Sequence, residues 1–318
     1  MSMKLQVLHQ THYAYDSEVG TSQHLAYLRP RNGQFQRLMS HTLEISPAPT
    51  ELTQAVDVFG NSRCYFSLER AHATLDVLAC SVLETDGLSL PDSRASWEQT
   101  RELLRYQPGR AYDRAGEFAF ASPLVPDGAE FRAYATPSFR PALSILEVAR
   151  DLMQRIHRDF SYDKHSTQSD TSAQLALAQR KGVCQDFAHV MLACLRSRGL
   201  AARYVSGYVL NEPLAGQAAL IGSDASHAWV AVYAPDLPEG RRWCEFDPTN
   251  QRCGWNAPGP DYVRLAYGRD FSDVSPIRGV IYGSAQQRLS VAVSVQVLPE
   301  MHDTCQTPFQ PNVSKDDS

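Results

Sequence analysis

The sequence predicts an α+β protein in two parts: an all-β N-terminal domain, then a larger unit in which a helix packs on antiparallel strands. Three observations predict it. Residues 3 to about 85 alternate apolar and polar side chains with period two and are rich in β-branched and aromatic residues, the pattern of half-buried strands. From Leu143 the spacing turns helical, and strand-like runs follow at 201–210, 225–233, 242–247 and 288–298; helices leading into antiparallel strands make an α+β unit. A chain of 318 residues, 43% of them hydrophobic, is long enough for two domains, or for one large domain with an annex.

In the first domain, residues 1–85, Thr42-Leu43-Glu44-Ile45-Ser46 and Thr74 to Val82 read as strands, set apart by turn chemistry at Pro47-Ala48-Pro49 and Phe59-Gly60-Asn61-Ser62. Residues 86–141 are a proline-punctuated connector packing over both domains, with one helix from Ser96 to Leu104 for which Ser96 is the N-cap. Residues 142–300 form the second domain, whose first helix carries Leu146, Ala149, Met153, Ile156 and Phe160 on one face. Residues 301–318 are polar and proline-bearing and are expected to be a disordered tail.

A further helix of the second domain opens at Cys184. Phe187, Val190, Met191, Cys194 and Leu195 recur at the spacing of one buried face, so the helix reads as amphipathic, and Cys184 continues that face inward. Gly199 suits the C′ position, with Arg196 and Arg198 complementing the dipole in the last turn. A thiol in the first turn meets free backbone N–H groups and the positive end of the macrodipole, which stabilise a thiolate and can form an oxyanion hole. Taken alone, an inward cysteine is more often a small inert hydrophobe. Cys194, in mid-helix, fits that bland role better.

His189 is the nearest histidine in sequence, but it points about 140° around the helix from Cys184. It is therefore not the expected base and belongs at the surface or in a second layer. His227 shares a strand face with Trp229, Ala231 and Tyr233. The next strand ends at Asp247, and the midpoint between residues 227 and 247 falls on Leu237, inside the loop Ala234 to Gly240. A hairpin folded there sets Asp247 opposite or nearly opposite His227, within reach of an imidazole N–H. The acid then fixes the tautomer so that the other nitrogen faces Cys184. Asn250 is the substitute third member if Asp247 points away.

Composition narrows the partners. A net charge of −5 and a pI near 6.1 provide no basic stripe, so nucleic acid is not an expected partner. No apolar run has signal-peptide or membrane-span length, so no membrane partner is expected either. Seven cysteines, scattered and odd in number, do not read as a disulfide framework, which favours a reducing cytoplasm. The pairs Cys184/Cys194 and Cys244/Cys253 match no common metal-site spacing and there is no HExxH, so no metal or cofactor is expected.

Four separated motifs are distinctive in their order: Gly182-Val183-Cys184-Gln185-Asp186-Phe187-Ala188, Ala202-Arg203-Tyr204-Val205-Ser206-Gly207-Tyr208, His227-Ala228-Trp229 and Asp247-Pro248-Thr249-Asn250. Together they resemble the bacterial transglutaminase-like superfamily, relatives of papain-like cysteine proteases. The β-rich first 85 residues look like the N-terminal domain of that branch, and Gly268 to Gly279 looks like its C-terminal signature. The resemblance implies a papain-like or transglutaminase-like core with Cys184 as nucleophile, His227 as general base and then acid, and Asp247 as orienting carboxylate. It also implies a further donor to the oxyanion hole, for which Tyr162 and Gln185 are candidates, and Trp229 and Asn250 are candidates for shaping the substrate site. The Gly268 to Gly279 block reads as a loop in which Arg269, Asp270 or Arg278 meets substrate or one another.

The expected chemistry is acyl transfer on amide bonds of a protein or peptide through a thioester. Hydrolysis, as in a cysteine peptidase or amidase, is the favoured outcome; transamidation of protein glutamine is the alternative, and a noncatalytic protein-binding scaffold is the third reading. Substrate identity and oligomeric state are left open by the sequence, which admits a homo-oligomer.

Overall fold

The computed structural model of the chain describes residues 2–109, 111–164, 171–210 and 226–299. The expected tail at 301–318 lies outside them. Period-two patterning becomes β1 (Ser2–Val19), β2 (Thr21–Ala26), β3 (Gln36–Ser46), β4 (Glu51–Val56), β5 (Ser62–Leu68) and β6 (His72–Asp86). The turn between β4 and β5 places Gly60 at φ +77°, a conformation that costs glycine nothing. Phe66, Leu68, Leu75, Val77 and Ala79 bury one core between these strands.

The connector contributes α1 (Trp97–Leu104) and α2 (Ala129–Ala135). Ser96 Oγ accepts the Gln99 N–H at 3.2 Å, and Gln99 Oε1 accepts the Ser96 N–H at 2.9 Å, a reciprocal cap that satisfies two otherwise orphaned donors. Phe118 sits edge-on to Trp243 with centroids 5.5 Å apart, and Phe131 enters the main core.

There follow α3 (Ile145–Asp159), β7 (Ser161–Tyr162), α4 (Ala173–Gln179), β8 (Lys181–Gly182), α5 (Cys184–Arg196), β9 (Ala202–Val209), β10 (His227–Tyr233), β11 (Trp243–Asp247), β12 (Arg252–Gly254), β13 (Tyr262–Gly268), α6 (Phe271–Val274), β14 (Ile277–Tyr282) and β15 (Gln287–Val297). A five-stranded antiparallel sheet runs in the order β12-β11-β10-β9-β13. Successive residues point to opposite faces of a strand. Tyr204, Ala228, Val230, Val232, Cys244 and Phe246 accordingly pack into the core that holds α5, while Val205, Trp229, Ala231, Tyr262 and Tyr267 build a second cluster.

Two expectations change. Every residue of α5 is buried, because the sheet covers one side and α2, α3 and α4 cover the others. The helix is not a surface amphipath: its polar residues find protein partners instead of water, and Arg196 donates to the carbonyls of Phe118, Ala202 and Arg269. The second domain, expected over residues 142–300, also does not keep all of its strands to itself. β15 pairs with β1 and β14 with β2, so residues 277–297 complete the sheets β15-β1-β6-β3 and β14-β2-β5-β4 of the N-terminal region. Strand periodicity reveals which face is apolar and not which sheet the strand joins.

Candidate active site

The thiol is delivered by a tight approach to α5. β8 runs parallel to β7 with Tyr162 opposite Gly182. A Cβ at Gly182 would meet the Asp186 side chain, which turns back so that its Oδ2 accepts the Val183 N–H at 2.8 Å. Cys184 is then the first residue of α5, 7% exposed, with its Sγ–H directed at the Ser226 carbonyl at 3.9 Å.

His227 is the next residue along from that carbonyl. Val230 pairs with Phe246 and Tyr233 with Trp243, so continuing the register sets Asp247 opposite Trp229, two residues from His227. The near-opposite placement expected from the loop midpoint becomes a diagonal one, and the parity is kept, so both side chains stay on one face. His227 Nε2 and Asp247 Oδ2 are 2.8 Å apart and fully buried. This commits Nε2 and leaves Nδ1, which is buried and has no hydrogen-bond partner among the described residues. Burial alone would lower the imidazole pKa, but the Asp247 charge, the neighbouring Cys184 sulfur and the hydrogen bond to Asp247 raise it to about 10. Asp247 moves the other way: burial works to raise its pKa, and the His227 charge with hydrogen bonds from His227, Asn250 and Tyr262 brings it below the ordinary value.

Asn250 is a helper to this pair and not a substitute for Asp247. Its Nδ2 donates to Asp247 Oδ2 at 2.8 Å and lies 3.4 Å from His227 Nε2. Trp229 is wholly buried, stacks on His227 at 5.9 Å between centroids and donates Nε1–H to Glu245 Oε2 at 2.7 Å. Its place is behind the imidazole, which supports the ring and offers no surface to substrate. Tyr162 is half-buried beside the Cys184 turn, 6.4 Å from the Phe187 ring, and Gln185 is buried in that turn.

Three supporting residues had no sequence signal. Tyr262 Oη donates to Asp247 Oδ2 at 2.8 Å. His157 on α3 meets the Thr249 carbonyl through Nδ1 at 3.0 Å and so pins the turn after Asp247. Glu245 anchors the Trp229 indole. Each arrives from a separate element, and no local spacing announces such a contact.

His189 is buried, not at the surface. It accepts the Phe271 N–H on Nε2 at 3.2 Å, and burial lowers its pKa to about 4, so it stays neutral and ties α5 to the Gly268 to Gly279 block. That block is the end of β13, α6 and the start of β14 rather than a loop. Arg269 pairs with Asp273 at 2.9 Å, Asp270 caps α6 through the Ser272 N–H at 2.8 Å, and Arg278 donates to the Ser272 carbonyl at 2.7 Å. The side chains of Arg269 and Arg278 find these partners within the block, while Asp270 Oδ2 also accepts the Leu124 N–H of the connector at 2.9 Å.

Residues 5–84 match the bacterial transglutaminase-like N-terminal region, and residues 132–248 match the transglutaminase-like superfamily. The chain belongs to the transglutaminase-like superfamily. Within it, the chain is 37% identical over 300 residues to an uncharacterized protein of Mycobacterium tuberculosis, covering 93% of each. It is 34% identical over 104 residues to a protein-glutamine gamma-glutamyltransferase of Pseudomonas aeruginosa, a stretch spanning 31% of this chain and 15% of that one. A crystal structure of a "putative cysteine protease" from Cytophaga hutchinsonii shares the fold of this chain at a TM-score of 0.70 and 21% identity, covering 98% of this chain and 95% of that one.

Proposed function

We propose that the chain is a thiol-dependent acyl-transfer enzyme acting on amide bonds of proteins or peptides, with Cys184, His227 and Asp247 as its triad. The observation that carries this reading is the buried His227–Asp247 hydrogen bond placed beside a thiol at the start of a helix. The Cys184 thiolate attacks the amide carbonyl while backbone N–H groups of the first turn of α5, helped by Tyr162 or Gln185, donate to the developing oxyanion. The carbon–nitrogen bond breaks, the His227 imidazolium passes its proton to the leaving amine, and a thioester remains on Cys184. Water, deprotonated by His227, then releases the acid and restores the thiol.

Hydrolysis needs only water as second nucleophile and is the simpler outcome. The stretch shared with the gamma-glutamyltransferase supports the other one, in which an amine resolves the thioester. Incubating a glutamine-containing protein with a tagged amine and reading products by mass spectrometry separates them. Cleavage or deamidation without tag, lost in Cys184→Ala, is expected; tag incorporation lost in Cys184→Ala would assign transamidation. Products equal in wild type and Cys184→Ala would leave the noncatalytic scaffold as the reading.

A further inference from the structure

On the sheet face that carries Trp229, a cavity of about 250 Å³ lies between the segment after β2 and strands β9, β11 and β13. Arg31, Arg203 and Arg264 all line it, and Glu245 is the one carboxylate among its lining residues. That carboxylate is already shared: Trp229 Nε1 donates to it at 2.7 Å, Tyr267 Oη at 3.3 Å, and Arg264 Nη1 lies 3.8 Å away. Three guanidinium charges thus face one occupied counter-charge in a walled space.

Part of the donor set is also unspent, although Arg264 Nη1 donates to Tyr267 Oη at 3.1 Å. Arg264 is only 9% exposed, yet its buried Nε has no hydrogen-bond partner among the described residues. The Nε of Arg203 and Nδ2 of Asn256, both buried, are in the same condition. The Arg203 guanidinium lies over Tyr267 and Trp243, 3.6 and 4.2 Å from the ring centroids, and Arg31 stacks on Tyr267 at 4.5 Å. Aromatic stacking of this kind holds a guanidinium fork in place while leaving its N–H edge available; on Arg31 one end of that edge is taken, since Nη1 donates to Asn61 Oδ1 at 2.7 Å and to the Phe59 carbonyl at 3.3 Å. Burial, reinforced by the neighbouring arginines, lowers the Arg203 pKa to about 10 against the pull of Tyr267 and Glu245. A bound negative charge would relieve that strain.

We propose that this cavity is a binding site for a small doubly charged oxyanion, phosphate or a short dicarboxylate, separate from the Cys184 site. Fixed guanidinium forks match the paired oxygens of either group, and the low-dielectric walls strengthen the attraction. Trp229 touches both places, since it stacks on His227 and bonds Glu245, so the occupant would sit one side chain away from the imidazole.

Isothermal titration calorimetry of the full chain with inorganic phosphate and, separately, succinate at constant ionic strength tests the site without any activity readout. Saturable binding of at least one, weakened about tenfold or more in Arg203→Gln and Arg31→Gln, is expected. Phosphate alone would mark a tetrahedral oxyanion, and succinate alone a carboxylate. Absence of saturable heat with both at millimolar concentration overturns the proposal, as does undiminished binding in folded variants. Should Arg203→Gln fail to fold in thermal denaturation, Arg31→Gln decides.

Discussion

His227 Nε2 and Asp247 Oδ2 lie 2.8 Å apart with both side chains shut off from solvent. The same oxygen accepts Tyr262 Oη–H and Asn250 Nδ2–H at 2.8 Å each, and Asp247 Oδ1 accepts the Thr249 N–H at 2.8 Å. A carboxylate with this many donors keeps its charge despite burial, and an imidazole bonded to it has one orientation available. The relationship leads to five expectations.

If the Cys184 sulfur helps raise the His227 pKa, removing it must lower that value. NMR titration of the His227 ring in Cys184→Ala is expected to show a midpoint below the wild type's value of about 10. An unchanged midpoint would mean that the sulfur and the ring do not share a proton.

Stability should follow the same pair. The folded His227 pKa is raised from 6.5, so its contribution is complete below pH 6.5 and is lost as pH rises through about 10. Asp247 has the opposite sign: its contribution is complete above the ordinary 3.8 and is lost as pH falls through the lowered folded value. The Tm gap between wild type and His227→Gln is expected to shrink from pH 6.5 toward 10, and a widening gap would contradict the assignment.

Asp247→Asn keeps the shape but loses the charge and inverts the hydrogen-bond polarity at Nε2. Turnover is expected to fall by about 10³ to 10⁴, with the alkaline limb of the rate profile moving below pH 10. Tyr262→Phe removes one of several donors, so its cost should be much smaller, about 1.5–3 kcal/mol for a hydrogen bond to a charged group. Equal losses in the two variants would place Tyr262 at the chemistry itself.

Limiting iodoacetamide near neutral pH should label Cys184 first. Burial pushes the thiols of Cys194 and Cys244 to about 12 and raises those of Cys64 and Cys253, so these four stay protonated. Peptide mapping that finds Cys253 labelled as fast as Cys184 would count against an activated thiolate.

Gly207 should tolerate no side chain. It pairs with His227 on one side and Arg264 on the other, and a Cβ there would run into the Val263 carbonyl and the Trp229 ring. Gly207→Ala is expected to lower stability by about 1–3 kcal/mol in denaturant titration, the usual cost of overpacking.

Much of this site was legible in the chain. Helix phase separates Cys184 from His189, and strand parity puts His227 and Asp247 on one face. The register was misplaced by two residues because the tip of the hairpin is not centred on Leu237: Ala234 donates to the Arg242 carbonyl at 2.8 Å, which continues the Val230–Phe246 register. All seven residues of β13 are buried, so it presents no alternation of apolar and polar residues. The contacts of Tyr262, Glu245 and His157 join distant segments and leave no trace in local spacing. The return of β14 and β15 to the N-terminal sheets is hidden for the same reason.

That return makes the chain a closed weave. Its last described strand runs beside its first, Leu5 opposite Val297 and Tyr15 opposite Gln287, while Leu5, Val7 and Val295 share a core with α5. A fragment cut near residue 85 or near residue 276 would carry half of a sheet and a raw strand edge with it. Neither piece can serve as a portable module, and heat or denaturant should dismantle thiol, base and β region in a single step.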